Sequence, residues 1–148
     1  MDAPRQTGIM DNARDRHAIV TESTVIFVFL FLAGLMGACG VGLAAAAAHG
    51  TSAAGLDSAA WLLLFHATAL LGAVSLVGQQ LLWRPLALAA MACFVAGGAL
   101  FAGDIAMRAF AGHRLFPMAA PSGGTLLLIG WLVLAGAALV AMAAPQSR

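Results

Sequence analysis

Long uncharged apolar runs alternate with short polar breaks along this chain. The run from Ala59 to Leu82 (AAWLLLFHATALLGAVSLVGQQLL) holds no charged residue, with Trp61 near its start and Trp83 just past its end. At about 1.5 Å of rise per residue, a helix between the two tryptophans covers roughly the hydrocarbon thickness of a bilayer. Tryptophan prefers the headgroup levels on both faces, so the pair reads as an aromatic belt. Similar runs occupy 25–48, 85–109 and 123–142, which predicts four spanning helices within a transmembrane domain of residues 25–144. The breaks between them carry turn chemistry. Thr51 to Ser58 (TSAAGLDS) predicts a turn, with Asp57 or Ser58 as N-cap of the second helix. Arg84-Pro85 ends that helix, because proline disfavours helix in the residue before it and suits the first turn of the next. Arg108, His113 and Arg114 lie in a loop closed by Pro117 and Pro121, after which Ser122 or Thr125 opens the last helix. Short links make antiparallel neighbours. The fold expected is all-α, a transmembrane bundle of up-down-up-down topology.

Composition strengthens this reading. The chain of 148 residues is 62% hydrophobic and 9% charged, with a mean hydropathy of +0.96; a soluble domain carries about 25% charged residues. Lysine and tyrosine are absent, and the net charge of +1 leaves no electrostatic footprint for nucleic acid. The first apolar run begins at Val25 and stays uncharged too long for a signal-peptide core, so it is expected to remain as a span. Residues 1–24 read as a polar cytoplasmic tail, mostly unstructured or forming a short interfacial helix from Asp11 to Thr21 with a weak apolar side. Residues 145–148 read as a C-terminal tail. Arg5, Arg14, Arg16, Arg84 and Arg148 fall on the side holding both termini, against Arg108 and Arg114 on the other. The positive-inside rule then puts both termini in the cytoplasm.

Small residues mark helix-packing faces. Gly34, Ala38, Gly42 and Ala46 recur every four residues along the first span; Gly97 and Gly103 lie in the third, Gly123 and Gly124 in the fourth. Such stripes let another helix approach closely, although an alanine-rich chain also produces some by chance.

Polar groups inside the spans are few. The topology predicts that His49, His66, Asp104 and Ser122 share one half of the bilayer. His66 and Asp104 form the natural pair: Asp104 would fix the tautomer and favour imidazolium in a proton-responsive site. Two plainer readings stand beside it. The groups act as polar glue between helices, or Asp104 pairs with Arg108, four residues along its own helix. His49, at a helix end, suits the interface or a carbonyl cap. Cys39 and Cys93 sit in apolar runs as free thiols, outside any CxxC or Cys/His cluster, so no metal site is expected. A small membrane bundle can hold haem between two imidazoles, but no two histidines here lie at matched depth on facing helices, and no cofactor is expected. The chain has no HExxH, no GxSxG and no cluster of carboxylates, and is read as a non-enzyme.

These residues resemble the DUF423 family of small bacterial membrane proteins. The family's first-helix ending, of the GAFGAHG type, corresponds to Ala44-Ala45-Ala46-Ala47-Ala48-His49-Gly50. Its aromatic-His-Ala-Leu motif corresponds to Phe65-His66-Ala67, with Thr68 intruding before Ala69-Leu70. Its Gly-x-x-Leu-Phe-Ser-Gly-Ser/Asp pattern corresponds to Gly97-Gly98-Ala99-Leu100-Phe101-Ala102-Gly103-Asp104. Its TPIGG and Gly-Trp elements correspond to Ala120-Pro121-Ser122-Gly123-Gly124 and Gly130-Trp131. Ala47, Ala102, Ala120 and Ser122 depart from the pattern. The resemblance covers about residues 25–142 and implies a four-helix, multi-pass protein of the bacterial inner membrane. It implies no activity.

The function expected is therefore that of an accessory subunit of a larger membrane complex, such as a respiratory one, or of a homo-oligomer. Its partners would be the lipid bilayer and other membrane proteins or copies of itself. One alternative is a small proton-linked transporter built on His66 and Asp104, its route extended by Ser75, Gln79 and Gln80. A haem-bearing bundle is another.

Overall fold

The computed structural model describes the backbone of residues 4–49 and 55–143, with side chains from residue 23 onward. Four helices follow one another: α1 (Pro4–Ala48), α2 (Leu56–Gly78), α3 (Arg84–Ala111) and α4 (Ala119–Ala143). Each contains a stretch long and apolar enough to cross a membrane, Ser23–Ala48 in α1 and the whole of the other three. The protein is an all-α, four-helix membrane bundle.

The bundle is open. α1 packs along α2, α4 along α3, and the α2–α3 seam joins the two pairs; α1 touches α3 lightly, and among the described residues α4 approaches neither α1 nor α2 through its backbone. As edge helices, α1 and α4 bury only 17% of their most apolar window, against 39% for α2 and α3. Leu56, Leu70, Met91 and Phe94 are fully buried along the central seam.

Local chemistry moves the helix ends from where the pattern placed them. α2 begins three residues before Ala59, after Gly55 in the left-handed conformation (φ 92°). The Ala59 N–H bonds the Gly55 carbonyl at 3.0 Å, and no side chain caps this end, so neither Asp57 nor Ser58 is the N-cap. The far end of α2 stops at Gly78 instead of reaching Leu82. Here the Leu81 N–H bonds the Leu76 carbonyl (3.0 Å) and the Gln80 N–H bonds that of Val77 (3.1 Å). With Gln80 at φ 60°, this is a Schellman closure built without its customary glycine. Leu82 then turns inward, and the Trp83 N–H bonds the Ala137 carbonyl of α4 at 3.0 Å. α3 runs slightly past both expected ends, with Pro85 in its first turn and Gly112 (φ 73°) closing it. α4 starts at Ala119 rather than Gly123; Pro121 falls in the first turn, where a missing N–H costs no hydrogen bond.

α1 extends well beyond the expected 25–48. The polar stretch within residues 1–24, expected as a mostly unstructured tail, is helical in its backbone from Pro4 and continuous with the span. The separate helix from Asp11 to Thr21 is thus part of α1. Nucleation is the costly step of helix formation, and a span already formed lets each further residue add cheaply. The tail 145–148 and residues 50–54 of the first link lie outside the described residues.

Glycine sets the closest approach in the bundle. A Cβ on Gly123 would lie 2.6 Å from the Phe101 nitrogen and 2.7 Å from the Gly97 carbonyl oxygen; one on Gly97 would lie 2.8 Å from the Gly123 oxygen. Backbone meets backbone here, so relief would require the helices to separate. Gly123→Ala should lower the thermal unfolding midpoint in detergent, with a cost of about 1–3 kcal/mol. Gly34→Ala should not lower that midpoint, because nothing lies within 4 Å of the added carbon.

Candidate functional site

The middle of the bundle holds one polar side chain among aromatic rings. His66 follows Leu56 by ten residues along α2, about 15 Å of axis, which is mid-membrane rather than near one end. It is 8% exposed. Its ring lies against Phe94 of α3 (centroids 5.3 Å) and Trp131 of α4 (6.0 Å), and these two stack on each other at 5.1 Å. Both ring nitrogens are engaged. Nε2 faces the Trp131 Nε1–H at 3.2 Å. Indole can only donate, so Nε2 is the acceptor and Nδ1 carries the proton. Nδ1–H then donates to the Leu62 carbonyl at 2.8 Å. The result is a neutral, fully satisfied imidazole that ties α2 to α4 across a gap their backbones do not close.

Asp104 belongs to a different place. It lies ten residues beyond Phe94 on α3, about 15 Å further along the axis. The expected His66–Asp104 pair is therefore not formed. Asp104 is 1% exposed; its carboxylate accepts from the Arg108 guanidinium and from the Leu115 N–H at 3.0 Å. For Asp104 the reading observed is pairing with Arg108, while His66 acts as polar glue between α2 and α4. The Leu115 contact adds a feature invisible in spacing: it fastens the α3–α4 loop back onto α3.

The remaining polar candidates serve their own helices. Ser122 Oγ donates to the Ala119 carbonyl at 3.0 Å, and His49 is exposed at the end of α1. Ser75 Oγ donates to the Leu71 carbonyl (3.1 Å) and Gln79 Nε2 to that of Ser75 (3.3 Å), both on the exposed face of α2. The four residues expected as one cluster thus sit at separate points. Among the described residues, every buried side-chain nitrogen and oxygen has a partner, and no three His, Cys, Asp or Glu side chains gather as a metal site. Cys39 is exposed, Cys93 is half-buried, and both are free.

The packing glycines divide into two sets. Gly97 and Gly123 close the α3–α4 seam, while a Cβ added at Gly124 would only reach ordinary contact with the Phe101 ring, at 3.9 Å. Gly34, Gly42 and Gly103 have nothing within 4 Å of an added Cβ, and Ala38 is exposed; only Ala46, half-buried, packs against the core. Other glycines make the internal contacts. A Cβ added at Gly40 of α1 would lie 2.8 Å from Leu64 of α2, one at Gly98 3.0 Å from the Met36 methyl, and one at Gly130 2.8 Å from the Phe94 ring.

Trp131, read from the sequence only as part of a Gly-Trp element, is the partner His66 finds across the bundle. Its signal was position: it sits mid-span, away from the headgroup levels where the other tryptophans belong. Trp131→Phe should keep the stacking and leave His66 Nε2 without a donor, destabilising the folded protein by about 1 kcal/mol in a detergent unfolding titration. Asp104→Ala should speed hydrogen exchange across residues 112–118 while leaving α4 protected.

The sequence model of the family described as Protein of unknown function (DUF423) matches residues 43–124. That stretch includes His49, His66, Phe94, Asp104 and both glycines of the α3–α4 contact; Trp131 and the early part of α1 lie beyond it. No solved structure matches the chain. With more than half of its length matched, this four-helix membrane protein belongs to the DUF423 family.

Proposed function

We propose that the protein is a non-enzymatic packing component of the bacterial inner membrane, working as an accessory subunit of a larger membrane assembly, such as a respiratory one, or as a homo-oligomer. The carrying observation is the face of α1 bearing Gly34, Ala38 and Gly42. It is exposed, with nothing within 4 Å of a carbon added at Gly34 or Gly42, while other glycines close the α1–α2 and α3–α4 seams. Lipid tails are as apolar as leucine, so helices associate in a membrane through close backbone approach rather than through a hydrophobic drive. Exposed Phe27, Phe31, Leu35 and Val41 surround this stripe with bulk suited to lipid or to the walls of a contact. The arginine distribution supports cytoplasmic termini. Proton-linked transport receives no such support, because His66 and Asp104 stand apart and each is satisfied by other partners.

Native mass spectrometry in a mild detergent measures the assembly directly. The wild-type protein should run as an oligomer or as a stoichiometric part of a larger complex. Gly34→Leu with Gly42→Leu should release it as a monomer of unchanged thermal stability. Cys39 neighbours the stripe and is exposed, so in a homo-oligomer mild oxidation should give a cross-linked dimer through it, lost in the leucine variant. A wild-type protein that is monomeric and alone would sink the proposal.

A further inference from the structure

A groove of about 520 Å³ runs between α1 and α3, with Leu63 of α2 in its lining. It exists because α1 and α3 both pack on α2 and touch each other only lightly. The α3 wall is cut low by Gly98, Ala102 and Gly103, and Gly42 does the same on α1. A Cβ added at Gly42 or Gly103 would meet nothing within 4 Å.

The groove extends over one leaflet. On α3 its lining runs from Val95 to Phe110, about 22 Å of axis, and on α1 from Leu32 to Leu43, about 16 Å. Val95 follows Phe94, whose ring meets His66 at mid-membrane (centroids 5.3 Å), and Phe110 is one residue short of the end of α3. Half of a hydrocarbon core is about 15 Å thick. The groove thus begins near the bilayer centre and opens toward the α3–α4 loop.

Chemistry and width narrow the occupant. The side chains that line the groove carry no charge, hydroxyl or amide, and their only heteroatoms are the sulfurs of Met36 and Cys39. A headgroup finds no hydrogen-bond partner there. A volume of 520 Å³ spread over that length makes a channel about 5–6 Å across. An α-helix with its side chains needs about 10–12 Å, whereas carbons in contact at about 3.5–4.0 Å make a methylene chain narrow enough to enter. From this we infer that the groove binds one acyl chain of a phospholipid, drawn from the leaflet on the side of the α3–α4 loop. The methyl end of the chain reaches the level of His66, and the ester end leaves past Phe110. Lipid tails gain nothing by leaving hydrocarbon, so the chain is held by close contact along a matching length.

Photolabelling separates a seated chain from ordinary lipid solvent. The full-length protein is placed in phosphatidylcholine vesicles with a trace of phosphatidylcholine bearing a diazirine midway along one acyl chain, then irradiated and mapped by peptide mass spectrometry. Label should fall severalfold more densely on residues 32–43 and 95–110 than around Leu128 and Leu132, which are exposed on α4. Gly103→Leu fills the groove from its α3 wall and should remove that excess without lowering the thermal midpoint or changing the oligomeric state. Ala99→Leu, at an exposed position on the same wall, serves if Gly103→Leu fails to fold. Both variants lie off the α1 stripe, so a monomeric wild type with the same excess would support the chain site while removing the oligomer. Equal labelling of groove and α4, a groove left unlabelled, or an excess that survives in the folded leucine variant would each overturn the assignment.

Discussion

A polar side chain in hydrocarbon has to find its partners inside the protein, and His66 finds two. Its Nδ1–H returns to the Leu62 carbonyl of its own helix, and its Nε2 takes the Trp131 indole N–H from across the bundle. This arrangement does more than satisfy a histidine. α2 and α4 do not meet through their backbones, so the indole forms a bridge where close packing is missing. Phe94 of α3 lies against both rings. Three of the four helices are thereby placed relative to one another at mid-membrane. Shifting α4 by a single residue would carry Trp131 about 100° around its axis and away from His66.

The rest of the architecture follows from where backbones can approach. At the α3–α4 seam Gly97 and Gly123 face each other with no room for a Cβ on either. At the α1–α2 seam Gly40 receives Leu64. These contacts pull the chain into two close pairs, and the pairs join along a seam of larger side chains, with Phe94, Met91 and Leu70 fully buried. An open bundle results, its first and last helices presenting wide apolar faces. Such faces carry no penalty in lipid, unlike the same surface in water.

The number, order and membrane character of the helices were legible because apolar runs separated by Pro, Gly and charge leave few alternatives. The ends were less so. α2 closes after Gly78 through the N–H groups of Gln80 and Leu81, with Gln80 in a conformation its side chain gives no hint of. The candidate site was readable as a list of residues and not as an arrangement. His66 and Asp104 were legible as the two polar groups a membrane helix has to account for. Depth along each axis, which separates them, depended on helix starts that the pattern placed three residues off for α2. Asp104 with Arg108 was legible as an i, i+4 pair. The Leu115 N–H was not, since a loop's backbone direction is not written in its composition. For small residues the period reveals that a face exists. Which face meets a neighbour depends on rotation about the axis, and here Gly34, Ala38 and Gly42 of the most regular stripe are exposed while Ala46 packs against the core.

The two ends of the bundle solve the boundary with water in opposite ways. On the side of the α3–α4 loop, a carboxylate buried in α3 draws in both the Arg108 guanidinium and the loop backbone at Leu115, so charge is neutralised within the chain and the loop is held down. On the other side, the link after α2 is held by backbone bonds, the Trp83 N–H to the Ala137 carbonyl of α4 and the Leu81 N–H to the Leu76 carbonyl, and Arg84 lines a cavity with Gln80 and Phe27. One end closes through an ion pair and a loop contact to it, and the other through backbone hydrogen bonds. The difference lies in what α3 offers at each end: Asp104 near its finish is a buried anion that binds a guanidinium and a loop N–H, and its start meets α4 through the Trp83 backbone.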